Sequence, residues 1–258
     1  MVQKRLATAR QATRSAPVSN VNAHALRPRE RLAFALDYPG LDEAARGAAL
    51  VAAHAGVLKV GLELFVRAGA PAIRMGRELG ARVFLDLKLH DIPETVARAV
   101  DSALELGASY LTLHAQGGPT MLAQAARRTE GTDLVLLAVT VLTSLDAADL
   151  EAIGVRSSTQ EHAQQLAKMA FDSGIRGFVC SAAEVASVRQ TLGPEALLVT
   201  PGIRPAAAAA GDQKRVGSPR DAIRAGSDIL VVGRPIRDAA DPAAAAAALV
   251  QEIAEASA

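Results

Sequence analysis

The chain of 258 residues has no tryptophan, one cysteine, five phenylalanines, two tyrosines and almost no net charge. Each shortage excludes something. So few aromatic rings are a poor supply of platforms for stacking bases, and 28 Lys plus Arg against 27 Asp plus Glu make no broad field to attract a polyanion, so nucleic acid is excluded as a partner. Cys180, being alone, forms no internal disulfide and fits a reducing, cytoplasmic compartment. The five histidines show no metal-ligand spacing, which excludes a structural zinc site. The longest uncharged apolar stretch, residues 134–145, is 12 residues long against the roughly 18 or more of a membrane span, so no membrane association and a soluble protein are expected.

The first 29 residues carry six Lys or Arg and no Asp or Glu, without an apolar run of secretory length. An organellar presequence shares this character. The simpler reading is a basic, disordered amino-terminal extension (1–29) ahead of one domain spanning 30–258.

From Arg31 onward, short apolar runs alternate with longer stretches rich in Ala, Leu, Arg and Glu. Eight strand candidates stand out: 31–36, 57–61, 82–87, 110–115, 134–140, 177–181, 197–202 and 229–234. Most are spaced as a strand, a crossover helix and two short loops require, with one wider interval between the fifth and sixth. Eight successive βα units in about 225 residues predict a closed (β/α)8 barrel of the α/β class, with an open doubly wound sheet as the alternative. The Ala-rich tail after Pro242 has an apolar stripe at Leu249, Val250 and Ile253, which makes it a terminal barrel helix.

Barrel enzymes carry their chemistry at the carboxyl ends of the strands. Here those ends present Asp37, Lys59, Asp86 with Lys88, His114, Thr143, Ser181, Gly202 with Arg204, and Gly233 with Arg234. Asp86 and Lys88 are two apart, so the period of a strand turns them to one face. They form either a buried pair that fixes the strand or part of a site. Lys59, between Leu58 and Val60, either snorkels out or pairs with Asp37 on the adjacent strand. Opposite unit charges 4 Å apart attract by about 4 kcal/mol at an effective dielectric of about 20, so an alternating row of acids and bases tolerates burial. Asp91 precedes a helix start, with Pro93 early in the helix and Glu94 three residues on, and reads equally as an N-cap. His114 is expected to be a polar strand-end residue and Cys180 a small buried hydrophobe. Gly202 with Arg204 and Gly233 with Arg234 follow the seventh and eighth strands, where glycine lets backbone N–H groups approach a phosphate and arginine clamps it.

The segment DLKLHDIPET (86–95), with the blocks ALDY, LKVGLELF, VTVLTS, VTPGIRP, AGDQ and VVGRP in that order, resembles the orotidine 5′-phosphate decarboxylase family over nearly the whole chain from Leu32. The resemblance implies a homodimeric barrel that converts orotidine 5′-monophosphate (OMP) to UMP, the last step of de novo pyrimidine nucleotide synthesis, without a metal or organic cofactor. It implies Lys88 as the acid that protonates C6, Asp86 beside the departing carboxylate, and Asp37 and Lys59 on the ribose hydroxyls. Asp91 and Thr95 would reach across the dimer interface, and Thr143 would face the pyrimidine. Gln213, Gly233 and Arg234 would grip the phosphate, with Arg204 a further ligand contact and the segment from Arg204 to Gly217 a closing loop. Glu94 departs from the family's DIPNT, as does the basic extension.

Two rivals remain on the same motifs. Sugar-phosphate decarboxylases and hexulose-phosphate synthases share D-x-K-x-x-D but resemble metal-dependent enzymes with a glutamate ligand where this chain has Lys59. A noncatalytic phosphate-binding barrel would bind nucleotide without turnover.

Overall fold

The computed structural model describes residues 26–204 and 217–257. Eight parallel strands close into a barrel in sequence order: β1 (Leu32–Ala35), β2 (Val57–Gly61), β3 (Arg82–Leu89), β4 (Tyr110–His114), β5 (Val135–Val139), β6 (Gly177–Val179), β7 (Leu197–Thr200) and β8 (Ile229–Val232), with β8 pairing back onto β1. Every strand candidate lies on one of these. The barrel strands are buried on both faces, which is why they read as continuous apolar runs and not as alternating ones. The open sheet is excluded by closure.

Two cores follow from the pleat. Ala33, Val57, Phe84, Tyr110, Leu137, Leu197 and Ile229 point inward and fill the barrel, while Leu32, Phe34, Leu58, Val83, Leu85 and Leu111 face the helices. From each interior residue, every second position along the strand also points inward. Above Val57 stands Lys59, above Phe84 stands Asp86, and above Tyr110 stand Thr112 and His114. The lower interior is therefore apolar and the upper interior charged.

The wide interval between β5 and β6 holds an additional short helix, Ala147–Ala152, before the crossover helix Thr159–Asp172; Asp146 and Ser158 cap them through side-chain oxygens. The terminal helix Pro242–Ser257 buries Ala246, Leu249 and Ile253, as its apolar stripe predicts. Of the basic stretch 1–29, residues 1–25 lie outside the described residues. Residues 26–31 close the amino-terminal end of the barrel: Leu26 packs on the interior cluster, the Arg29 carbonyl accepts from Gly56 N–H at 2.7 Å, and Arg31 donates to the carbonyls of Ser227 and Asp228 at 2.7 and 3.0 Å.

β3 departs from the expected strand. It runs on to Leu89, and its pairing shifts from Leu85↔Leu111 to Leu89↔Leu113, four steps on β3 against two on β4. Within this bulge Lys88 has φ +51°, the one positive φ among described non-glycine residues. The simple period of two does not carry through residue 88. Asp86 and Lys88 are neighbours, as expected, but across a β-bulge, a feature that commonly re-aims a side chain.

Candidate active site

At the carboxyl-terminal mouth, four side chains form a row of alternating charge. Asp37 Oδ1 accepts from Lys59 Nζ at 3.3 Å, Lys59 Nζ lies 3.5 Å from Asp86 Oδ2, and Lys88 Nζ donates to both Asp86 oxygens at 2.9 and 3.0 Å. The Lys59 and Asp86 side chains are only 11% and 13% exposed, so this pairing is what makes their burial tolerable. Burial by itself would raise the Asp86 pKa. Lys59 and Lys88, with hydrogen bonds from Lys88 and Thr112, outweigh that and hold the carboxyl below its ordinary range, so Asp86 is ionised. Gly61 leaves room for the row, since a Cβ there would stand 3.0 Å from Lys59 Nζ.

A cavity of about 380 Å3 opens above the row. Asp37, Lys59, Asp86 and Lys88 line one side; Gly202, Arg204, Gly233 and Arg234 line another, and Thr143 lies between on the loop after β5. Charged groups distant in sequence thus converge on one space, with the two Gly and Arg pairs from the β7 and β8 ends supplying its cationic part. The Nε of Arg204 is buried without a hydrogen-bond partner. Cys180 is buried at the cavity wall. Gln213 lies outside the described residues, as do 205–216 of the expected closing loop.

Asp91 and Thr95 are exposed and stand outside the cavity. The capping reading of Asp91 fails. The helix is Pro93–Leu106, its N-cap is Ile92 without a side-chain cap, and Asp91 Oδ1 instead accepts from the adjacent Ile92 N–H at 2.6 Å. Glu94 pairs with Arg98 one helical turn on, at 2.8 Å, and closes no capping box.

Sequence reasoning missed two contributors. Arg237 lines the cavity and donates to the Asp37 carbonyl at 2.8 Å. Thr112 bonds both Asp86 and Lys88, at 2.9 and 2.8 Å; the signal was the alternation Tyr110, Thr112, His114, which puts three polar-tipped residues on one interior face. His114 lies beside His90, their ring centroids 5.5 Å apart. Burial, then His90 and Lys88, lower the His114 pKa against the opposing pull of Asp86, and its Nδ1 is buried without a partner. No group of three or more His, Cys, Asp or Glu side chains among the described residues is arranged to hold a metal ion, and no helix among them is long and apolar enough to cross a membrane.

Residues 30–249 match the model of the Orotidine 5'-phosphate decarboxylase / HUMPS family. An orotidine 5'-phosphate decarboxylase of Anaeromyxobacter sp. (strain K) is 54% identical over 224 residues, covering 87% of this chain and 98% of that protein. One from Thermobifida fusca (strain YX) is 50% identical over 225 residues, covering 86% and 95%. The crystal structure of orotidine 5'-phosphate decarboxylase from Lactobacillus acidophilus superposes with a TM-score of 0.77 at 37% identity, over 87% of this chain and 99% of that one. With the barrel, the charged row and these relatives in agreement, the chain belongs to the Orotidine 5'-phosphate decarboxylase / HUMPS family.

Proposed function

We propose that this protein decarboxylates OMP to UMP in pyrimidine nucleotide synthesis, with Lys88 as the proton donor. The observation that carries the reading is that the Lys88 ammonium, anchored by Asp86, faces the same cavity as the glycine and arginine pairs of the β7 and β8 ends. When the bond from C6 to the carboxylate breaks, the electron pair stays on C6 in the plane of the ring, where the π system cannot delocalise it. A positive charge fixed beside C6 stabilises that pair, and the same group then gives up a proton to form the C6–H bond. Lys88 supplies both and is reprotonated from solvent. Asp86, ionised next to it, acts either by repelling the substrate carboxylate or by holding Lys88.

Asp37 and Lys59 bind the ribose hydroxyls in this reading, and Thr143 faces the pyrimidine. Gly233 and Arg234 hold the phosphate together with Gln213 and Arg204. Because the phosphate is remote from C6, its binding energy organises the site, and a substrate lacking it loses turnover as well as affinity. No metal or organic cofactor is needed: the cationic charge at the reacting carbon is Lys88. Lys59, already within 3.5 Å of Asp86, brings a cation to the place where a metal-dependent relative would need a ligand, and so disfavours the sugar-phosphate and hexulose-phosphate rivals.

Asp91 and Thr95 reach into the site of a second copy, which makes the active unit a homodimer. Their exposure supports this, as does that of Leu62, Val66 and Ile92 (52%, 81% and 67%) after the neighbouring strands β2 and β3, an apolar set suited to being covered. The buried single thiol of Cys180 is consistent with a cytoplasmic enzyme. The test is the fall in OMP absorbance with purified protein freed of metal by a chelator. UMP formation is expected; absence of turnover, or turnover abolished by chelation alone, contradicts the proposal.

A further inference from the structure

We propose that Thr112 is a positioning residue that sets the geometry of Lys88 by bonding its backbone and its counter-ion through one hydroxyl. The inference rests on the reading of Lys88 as the proton donor.

Thr112 is fully buried in β4 and does not line the cavity, so it meets no substrate directly. Its Oγ1 accepts from the Lys88 backbone N–H at 2.8 Å and donates to Asp86 Oδ1 at 2.9 Å. A hydroxyl has one proton to give, an amide N–H only donates, and an ionised carboxylate only accepts. The hydroxyl proton must therefore point at Asp86, and both contacts are fixed in direction. The amide it receives belongs to the residue with φ +51°, inside the bulge where β3 slips out of register with β4. A non-glycine residue keeps such a conformation only where its surroundings enforce it. The Thr112 side chain reaches into the bulge. It also fixes the Asp86 oxygen onto which Lys88 Nζ folds back, so the two ends of Lys88, amide and ammonium, are tied to one point on the neighbouring strand.

The experiment compares wild type, Thr112→Val and Thr112→Ser by steady-state decarboxylation of OMP and by UMP affinity in calorimetry. Valine keeps the shape and removes the hydroxyl. A misplacement of the donor by as little as an ångström costs about 100-fold in rate, so kcat of Thr112→Val is expected to fall by about 100-fold while UMP affinity stays near wild type. Thr112→Ser restores the hydroxyl and recovers the rate. Thr112→Ala provides the same comparison if the valine variant does not fold. A valine variant that turns over like an active wild type overturns this inference alone. So does one whose activity falls only in step with its folded fraction, or one whose UMP affinity falls as far as its kcat. A wild type inert toward OMP overturns the proposed function and this inference with it.

Discussion

Replacing Asp86 by Asn keeps the shape of the side chain at the centre of the charged row and removes its charge. Two ammonium groups, at 2.9 and 3.5 Å from its oxygens, then face each other with Asp37 as the remaining counter-ion. At an effective dielectric of about 20 those two contacts amount to gross attractions of about 6 and about 5 kcal/mol, most of which offsets the cost of burying the charges. Removing one partner leaves that cost uncompensated, which typically destabilises by about 3–5 kcal/mol. For a chain of this size the expected fall in Tm is roughly 6–20 °C. Denaturant and thermal unfolding at pH 7 read the loss. An Asp86→Asn protein melting with wild type would refute this electrostatic account of the row.

Other outcomes follow from the same geometry. If sites are shared between copies, mixing inactive Asp37→Ala and Asp91→Ala chains restores part of the activity, since a mixed dimer contains one site with neither change; no recovery in demonstrably mixed dimers counts against the crossing role of Asp91. Burial, then the neighbouring His90 and Lys88, lower the His114 pKa, so the unfolded chain takes up its proton at a higher pH than the folded one. Stability therefore falls as pH drops through the ordinary histidine range near 6.5, and His114→Gln flattens that slope in denaturant titrations between about pH 5 and 8. Parallel slopes for wild type and variant would contradict it.

The barrel was legible because each strand is a mostly apolar run, with polarity entering its inner face toward the carboxyl end, as in VLKVG, where Lys59 interrupts the run one pleat above Val57. The site was legible for the same reason: a charge in an apolar strand has to be paired or functional, and Asp37, Lys59, Asp86 and Lys88 satisfy one another. The bulge in β3 left no such mark. Nothing in DLKL distinguishes a regular pleat from one in which Lys88 turns to positive φ, and the Thr112 hydroxyl that accepts the Lys88 amide lies on another strand. Asp91 misled as a cap because the spacing to Glu94 is right, whereas the chain enters the helix through Ile92 and Pro93 and Glu94 turns to Arg98. Arg237 escaped notice because a basic residue in a short helix after β8 has no local signature; its place at the cavity comes from its contact with Asp37, 200 residues earlier.

The most direct measurement is the rate of UMP formation by Lys88→Ala, taken alongside its melting curve and its affinity for UMP. With the cationic proton donor gone, turnover is expected to drop by about 10,000-fold or more while the protein stays folded and still binds UMP. A folded Lys88→Ala protein that decarboxylates OMP at close to the wild-type rate would contradict the account.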